Sequence, residues 1–160
     1  MYNTNDYNNL IIENWNKTVG KKDKVYILGG LGVSDVYQIL VKLNGEIHIL
    51  NNYYNEDERY FIDILKKSVE LSVDKKLKNK IIFETDQNII LADDDVFMSY
   101  FAPLNWPGED CGTFAFHGIV SGSDLNKHRI SCVIGDWDFK PICINNIRNN
   151  LELFREKIII

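Results

Sequence analysis

Residues 36–51 read VYQILVKLNGEIHILN, and the fold turns on what the two halves of this stretch become. Val36 to Leu43 and Glu46 to Asn51 are apolar runs on either side of Asn44-Gly45. Both residues of that dipeptide tolerate positive φ, as a two-residue hairpin turn requires. The stretch therefore predicts two antiparallel strands. Upstream, Lys24 to Leu28 reads as a strand that runs into the loop Gly29-Gly30-Leu31-Gly32. Downstream, Ile81 to Glu84 and Ile89 to Ala92 read as a second short hairpin. Val96 to Phe101 is a strand or a short helix, followed by a long loop, Ala102 to Gly112, that holds Pro103 and Pro107. Thr113 to Ser121 and Arg129 to Gly135 read as paired strands, with a brief strand at Ile142 to Ile144.

Three segments carry helical spacing. Tyr7, Leu10, Ile11, Trp15 and Val19 fall on one face of Asp6 to Val19, and Gly20 is placed to stop it. Asn55 is placed to cap a second helix whose first turn holds Glu56, Asp57 and Glu58, where negative charge suits the helix dipole. Phe61, Ile64, Leu65, Ser68 and Leu71 would be its inward face, and it ends near Asp74. Asn145 is placed to cap a C-terminal helix with Ile147, Leu151, Phe154 and Ile158 as its stripe. Short turns between strands predict an α+β domain, a mainly antiparallel sheet with two to three helices packed against it.

At 160 residues, with 45% hydrophobic and 26% charged side chains, the chain suits one globular domain spanning residues 1–160. No repeat or low-complexity linker divides it. No segment approaches the roughly 20 uninterrupted apolar residues of a membrane span, and Met1 to Leu10 lacks the basic end and apolar core of a secretory signal. Cys111, Cys132 and Cys143 are an odd number without CxxC spacing, which fits a reducing compartment. Cys132 and Cys143 sit in apolar runs and read as small buried hydrophobes. A cytoplasmic location is expected.

The charge is uneven. Residues 81–126, a stretch of 46, hold no Lys or Arg but eight acids, whereas the rest of the chain is net +3 and the whole is net −5. Such a middle repels nucleic acid and anionic membranes and speeds encounter with a basic protein. The bland account is that these acids cap turns and solvate loops. Three segments set acids beside aromatics: Tyr53 to Glu58, Trp106 to Asp110, and Asp136 to Phe139. Aromatic anchors flanked by carboxylates suit docking on a basic concave target. Asp93, Asp94, Asp95, Trp106, Glu109, Asp110, Asp136 and Trp137 are the expected partner contacts, although Trp106 and Trp137 could equally be core aromatics at loop edges.

Catalytic motifs are sparse. Cys111 and His117 are the nearest to a nucleophile and its base, but six residues of strand would set them about 20 Å apart. His48, His117 and His128 show no zinc spacing, and Asp93 to Asp95 lacks the twelve-residue calcium-loop pattern. Gly29 to Gly32 follows a strand as a phosphate loop would, without the GxGxxG order or the Lys-Ser/Thr of a P-loop. The lysines of 17–24 and 66–80 are interspersed with acids and read as solvated faces. No catalytic residue, metal or cofactor is assigned. A cysteine-dependent hydrolase or transferase using Cys111 and His117 is one alternative, and a small-molecule-binding module near Gly29 to Gly32 is another.

In size, acidity and loop chemistry, with Asn105-Trp106-Pro107-Gly108-Glu109-Asp110 and Gly135-Asp136-Trp137-Asp138 as the segments in view, the chain resembles bacterial immunity proteins that neutralise polymorphic or contact-dependent toxins. That resemblance implies a cytoplasmic α/β or α+β inhibitor without catalytic residues. Its partner would be a basic toxin domain, masked at its active site.

Overall fold

The computed structural model describes residues 4–30, 35–51, 55–92, 95–119 and 128–149. Residues 36–51 are a helix and a strand: α2 covers Val36–Lys42 and β2 covers Glu46–Ile49. Val36, Ile39, Leu40 and Leu43 recur at helical spacing, and Val36, Leu40 and Leu43 are buried together in one core. That stripe outweighs the turn signal of Asn44-Gly45, so the expected hairpin is replaced by a helix-to-strand junction.

The junction is tied down by α1, Thr4–Thr18. The Asn44 backbone N–H donates to Asn16 Oδ1 (2.7 Å), its side-chain amide donates to the Val19 carbonyl (3.1 Å), and Trp15 Nε1 donates to the Asn44 carbonyl (2.9 Å). Gly45 has φ +93°, and a Cβ there would stand 2.9 Å from both the Asp23 carbonyl oxygen and Val19 Cγ1. Glycine is required because backbone and side chain already fill that space, in a conformation L residues rarely adopt.

With α2 as a crossover, β1 (Lys24–Ile27) pairs parallel with β2 in register Lys24 to Glu46. Two further helices, α3 (Glu56–Leu71) and α4 (Lys75–Lys80), carry the chain to β3 (Ile81–Phe83), also parallel to β2. As predicted, Asn55 caps α3, accepting from the Glu58 N–H at 2.9 Å. The inward face differs: Leu65 and Val69 are buried, while Phe61, Ile64 and Leu71 are exposed. The Lys-rich stretch is a helix in its own right because Asp74 accepts from the Lys76 and Leu77 N–H groups and Leu77 anchors it in the core. Lys80 Nζ donates to the carbonyls of Leu40 (2.9 Å), Val41 (3.4 Å) and Leu43, satisfying the C-terminal end of α2. Burial holds its pKa below the ordinary lysine value.

The second sheet has the order β4-β5-β6-β7, with β4 Asn88–Leu91, β5 Val96–Ser99, β6 Phe114–His117 and β7 Arg129–Ser131. Only β4–β5 is antiparallel; β5–β6 and β6–β7 run parallel. The fold is thus α+β with one parallel and one mixed sheet, and the expectation of a mainly antiparallel sheet is corrected. The predicted hairpin of residues 81–92 also fails, since β3 and β4 lie in different sheets. Residues 142–143 are not a strand, and residues 144–149 form helix α5; Leu151, Phe154 and Ile158 lie outside the described residues.

Alternation along β2 explains how the layers meet. Ile47 and Ile49 face the helical core with Trp15, Leu40, Leu65 and Ile81. Leu50, with Leu28 and Tyr26, joins the opposite core formed by Val96, Met98, Phe116, Ile130 and Ile147 of α5. The first sheet is therefore covered on both faces, as parallel sheets generally are.

Candidate functional site

The loop from β5 to β6 replaces a crossover helix, and Trp106 holds it. The indole is 6% exposed, clusters with Phe97 and Ala115, and donates from Nε1 to the Thr113 carbonyl at 2.8 Å. Trp106 is consequently a core residue and offers no face to a partner. The loop ends in a 3-10 turn, Glu109–Cys111, between Gly108 and Gly112, both left-handed. A Cβ on Gly108 would stand 2.2 Å from Thr113 Oγ1.

This turn brings Glu109 and Asp110 to the end of the second sheet where β5 and β6 begin. Asp95 is there too: its carbonyl accepts from the Phe114 N–H at 2.9 Å. Asp95 and Asp110 are exposed and Glu109 is half-buried. None of the three forms an ion pair among the described residues. Asp93 and Asp94 lie outside the described residues. Asp136 and Trp137, the other two expected contacts, follow β7 and so belong to the opposite end. Trp137 is half-buried, packed against the second core, and donates to the Ser131 carbonyl at 2.7 Å. The six of the eight expected contacts that are described divide between the two ends of the sheet.

At that opposite end a polar row crosses three parallel strands. Ser99 is in register with His117, and His117 with Ser131. Ser99 Oγ donates to the Phe101 carbonyl (2.6 Å), and Ser131 Oγ donates to Asp136 Oδ2 (2.9 Å). His117 is 1% exposed, and neither of its ring nitrogens has a hydrogen-bond partner among the described residues. Burial, then the Arg129 charge, push its pKa below the ordinary imidazole value, with Asp136 pulling the other way. A buried polar group without a partner is rare enough to require an explanation. Beside Ser99 opens a cleft of about 400 Å³ lined by Asn88, Phe97, Tyr100, Phe101 and Asn105 among others. Its floor is fixed by Tyr100, which packs so closely on Gly29 that a Cβ there would stand 2.0 Å from the ring.

Cys111 lies in the turn that precedes β6 and His117 closes that strand, whose length alone is about 10 Å, with Cys111 exposed and His117 enclosed. Cys143 is exposed rather than buried. Cys132 is held in the second core, where burial pushes its thiol up to about 12.

A second polar group lies on β2. His48 Nδ1 is 2.5 Å from Glu84 Oε1 and Nε2 is 2.9 Å from Glu46 Oε1, and the ring lies 4.7 Å from that of Tyr26. Its two carboxylates approach opposite nitrogens rather than a common point, so the group ties β2 to the end of β3. Among the described residues no cluster of three or more His, Cys, Asp or Glu could hold a metal ion, and no helix is long and apolar enough to cross a membrane.

Ser99 and Ser131 are not among the residues expected from sequence, and His117 stands in register with them. Each of the three closes a short apolar strand (VFMS, FAFH, RIS), which is the signal that could have grouped them. Comparison with protein-family models, curated proteins and solved structures finds no match to this chain.

Proposed function

We propose that the chain is a protein-binding inhibitor of the immunity type, docking on a basic toxin domain through the acidic end of its second sheet. The observation that carries this reading is the set of uncompensated carboxylates there. Among the described residues Asp95, Glu109 and Asp110 have no ion-pair partner, and they sit in a stretch that contains no Lys or Arg. Several acids elsewhere have cations on or beside their own element: Glu13 pairs with Lys17, Glu46 with Lys24 and Glu56 with Arg59, and α3, which carries the exposed Asp57, Asp63 and Glu70, also carries Lys66 and Lys67. Unpaired exposed charge of one sign stabilises the fold little, and it steers association with an oppositely charged surface. Asp93 and Asp94 adjoin Asp95 in the chain and extend the same charge. Trp106 contributes by holding the loop that presents Glu109 and Asp110.

The direct experiment titrates this chain against the basic protein encoded beside its gene, at low and high salt. The triple variant Asp95→Asn, Glu109→Lys, Asp110→Lys is compared with the parent; Asn is used at 95 because φ there is +48°, which Asn tolerates. Affinity is expected to fall at least about tenfold, chiefly through slower association, with the melting temperature unchanged. Unchanged affinity for a partner that binds the parent chain would refute the acidic-end reading.

A further inference from the structure

The cleft at the far end of the second sheet has a chemistry unrelated to the acidic end. Its lining side chains are uncharged. Asn88, Asn105 and Gln87 supply carboxamides, each able to donate and accept side by side. Ser99 adds a hydroxyl, and Phe97, Tyr100 and Phe101 supply ring surface. Phe101 is 52% exposed at the rim, held edge-on against Tyr100 with ring centroids 4.9 Å apart, so one of its faces is open to stacking. Carboxamides that match a paired donor and acceptor, beside an aromatic face, are the groups that read the edge and plane of a nucleobase. The cleft lies where β4 begins and β5 ends, Asn88 and Ser99 being partners in that antiparallel pair. Its volume of about 400 Å³ falls in the range of small-molecule sites. Behind Ser99 in the same row stands His117, whose buried nitrogens have no partner among the described residues.

We propose that this cleft binds an uncharged nucleobase or nucleoside, stacked on Phe101 and read along its edge by Asn88 and Asn105. Ser99 links the ligand to His117: Ser99 Oγ already donates to the Phe101 carbonyl, so the ligand donates to its free lone pair, and the environment of the imidazole behind it changes. A phosphate is disfavoured, because among the described residues no cation lines the cleft, the neighbouring Arg129 guanidinium being engaged on the Pro103 carbonyl at 3.2 Å, and the surrounding stretch is acidic. A nucleoside therefore binds better than its own monophosphate, the reverse of what a phosphate-cradling loop gives.

The test is calorimetric titration of the full chain with adenosine, guanosine, cytidine and uridine, their 5′-monophosphates, and ribose. At least one nucleoside is expected to bind, its monophosphate at least about fivefold more weakly, and ribose not at all. Phe101→Ala and Asn105→Ala, both at exposed positions, are expected to weaken that nucleoside about tenfold or more, as loss of a stacking face does. Imidazole NMR signals of His117 should move on saturation while those of His48 and His128 stay. The proposal is overturned if no nucleoside binds at millimolar concentration, if ribose binds equally well, if the monophosphate binds more tightly, if either variant leaves affinity intact, or if the His117 signals do not move.

Discussion

Both sheets of this protein are built largely from parallel strands, and they treat charge in opposite ways. In the first sheet, Lys24, Glu46, His48 and Glu84 form one connected group, and the Lys80 ammonium fills the end of α2. In the second sheet, Asp95, Glu109 and Asp110 face solvent without ion pairs among the described residues, and His117 is enclosed without a hydrogen bond. The difference separates groups that hold the fold from groups available to something outside it. A charge-assisted contact between elements lowers the energy of one conformation. An exposed or orphaned group adds little or costs stability, so its presence points to a ligand or partner.

The two sheets differ in chemistry but are joined in stability, since Tyr26, Leu28 and Leu50 of the first half pack into the core of the second. Ile47→Ala and Ile130→Ala, one in each core and both fully enclosed, should each cost about 2–5 kcal/mol. Native-state hydrogen exchange should then show both variants lowering protection in both sheets. Loss confined to the mutated sheet would mean that the halves unfold independently.

A smaller effect is expected from Lys80→Met, which keeps the aliphatic stem and removes a donor shared by the Leu40, Val41 and Leu43 carbonyls. Urea unfolding should record a loss of about 1–2 kcal/mol. No loss would put the end of α2 on the same footing as the solvated acids of the second sheet.

The smallest effect concerns acid. His117 has a folded-state pKa below its unfolded value, so the folded chain binds that proton less readily than the unfolded one. The stability it contributes is fully present above the unfolded imidazole value, near 6.5, and is lost as pH falls from there through the lower folded value. His117→Leu removes this term, so between pH 7.5 and pH 5 its unfolding midpoint should fall less than that of the parent chain. Equal falls would show that carboxylates alone govern the acid response.

Much of this was legible in sequence wherever the deciding signal was local. The Asn55 cap and the acidic first turn of α3, the β1 run and the Lys-free stretch needed no knowledge of neighbours. Residues 36–51 misled because two local signals compete there, a helical stripe through Val36, Ile39, Leu40 and Leu43 and a hairpin dipeptide at Asn44-Gly45. What settles them is non-local: Gly45 is wanted for the close approach of Asp23 and Val19. That Ser99, His117 and Ser131 each close a short apolar run can be read from the chain, but their alignment in one row depends on strand order and register. Trp106 likewise reads as an anchor until Phe97 and Ala115 close around it.

Lys80 also gives the molecule a built-in gauge. Its amine is held against three carbonyls in the native state, whereas Lys75, Lys76 and Lys78 of the same helix are exposed. An amine-reactive label will mark those three at once and reach Lys80 only when α2 and α4 part. The ratio of modification at Lys80 to that at its helix neighbours, read by mass spectrometry, is a clock for the opening of the first sheet.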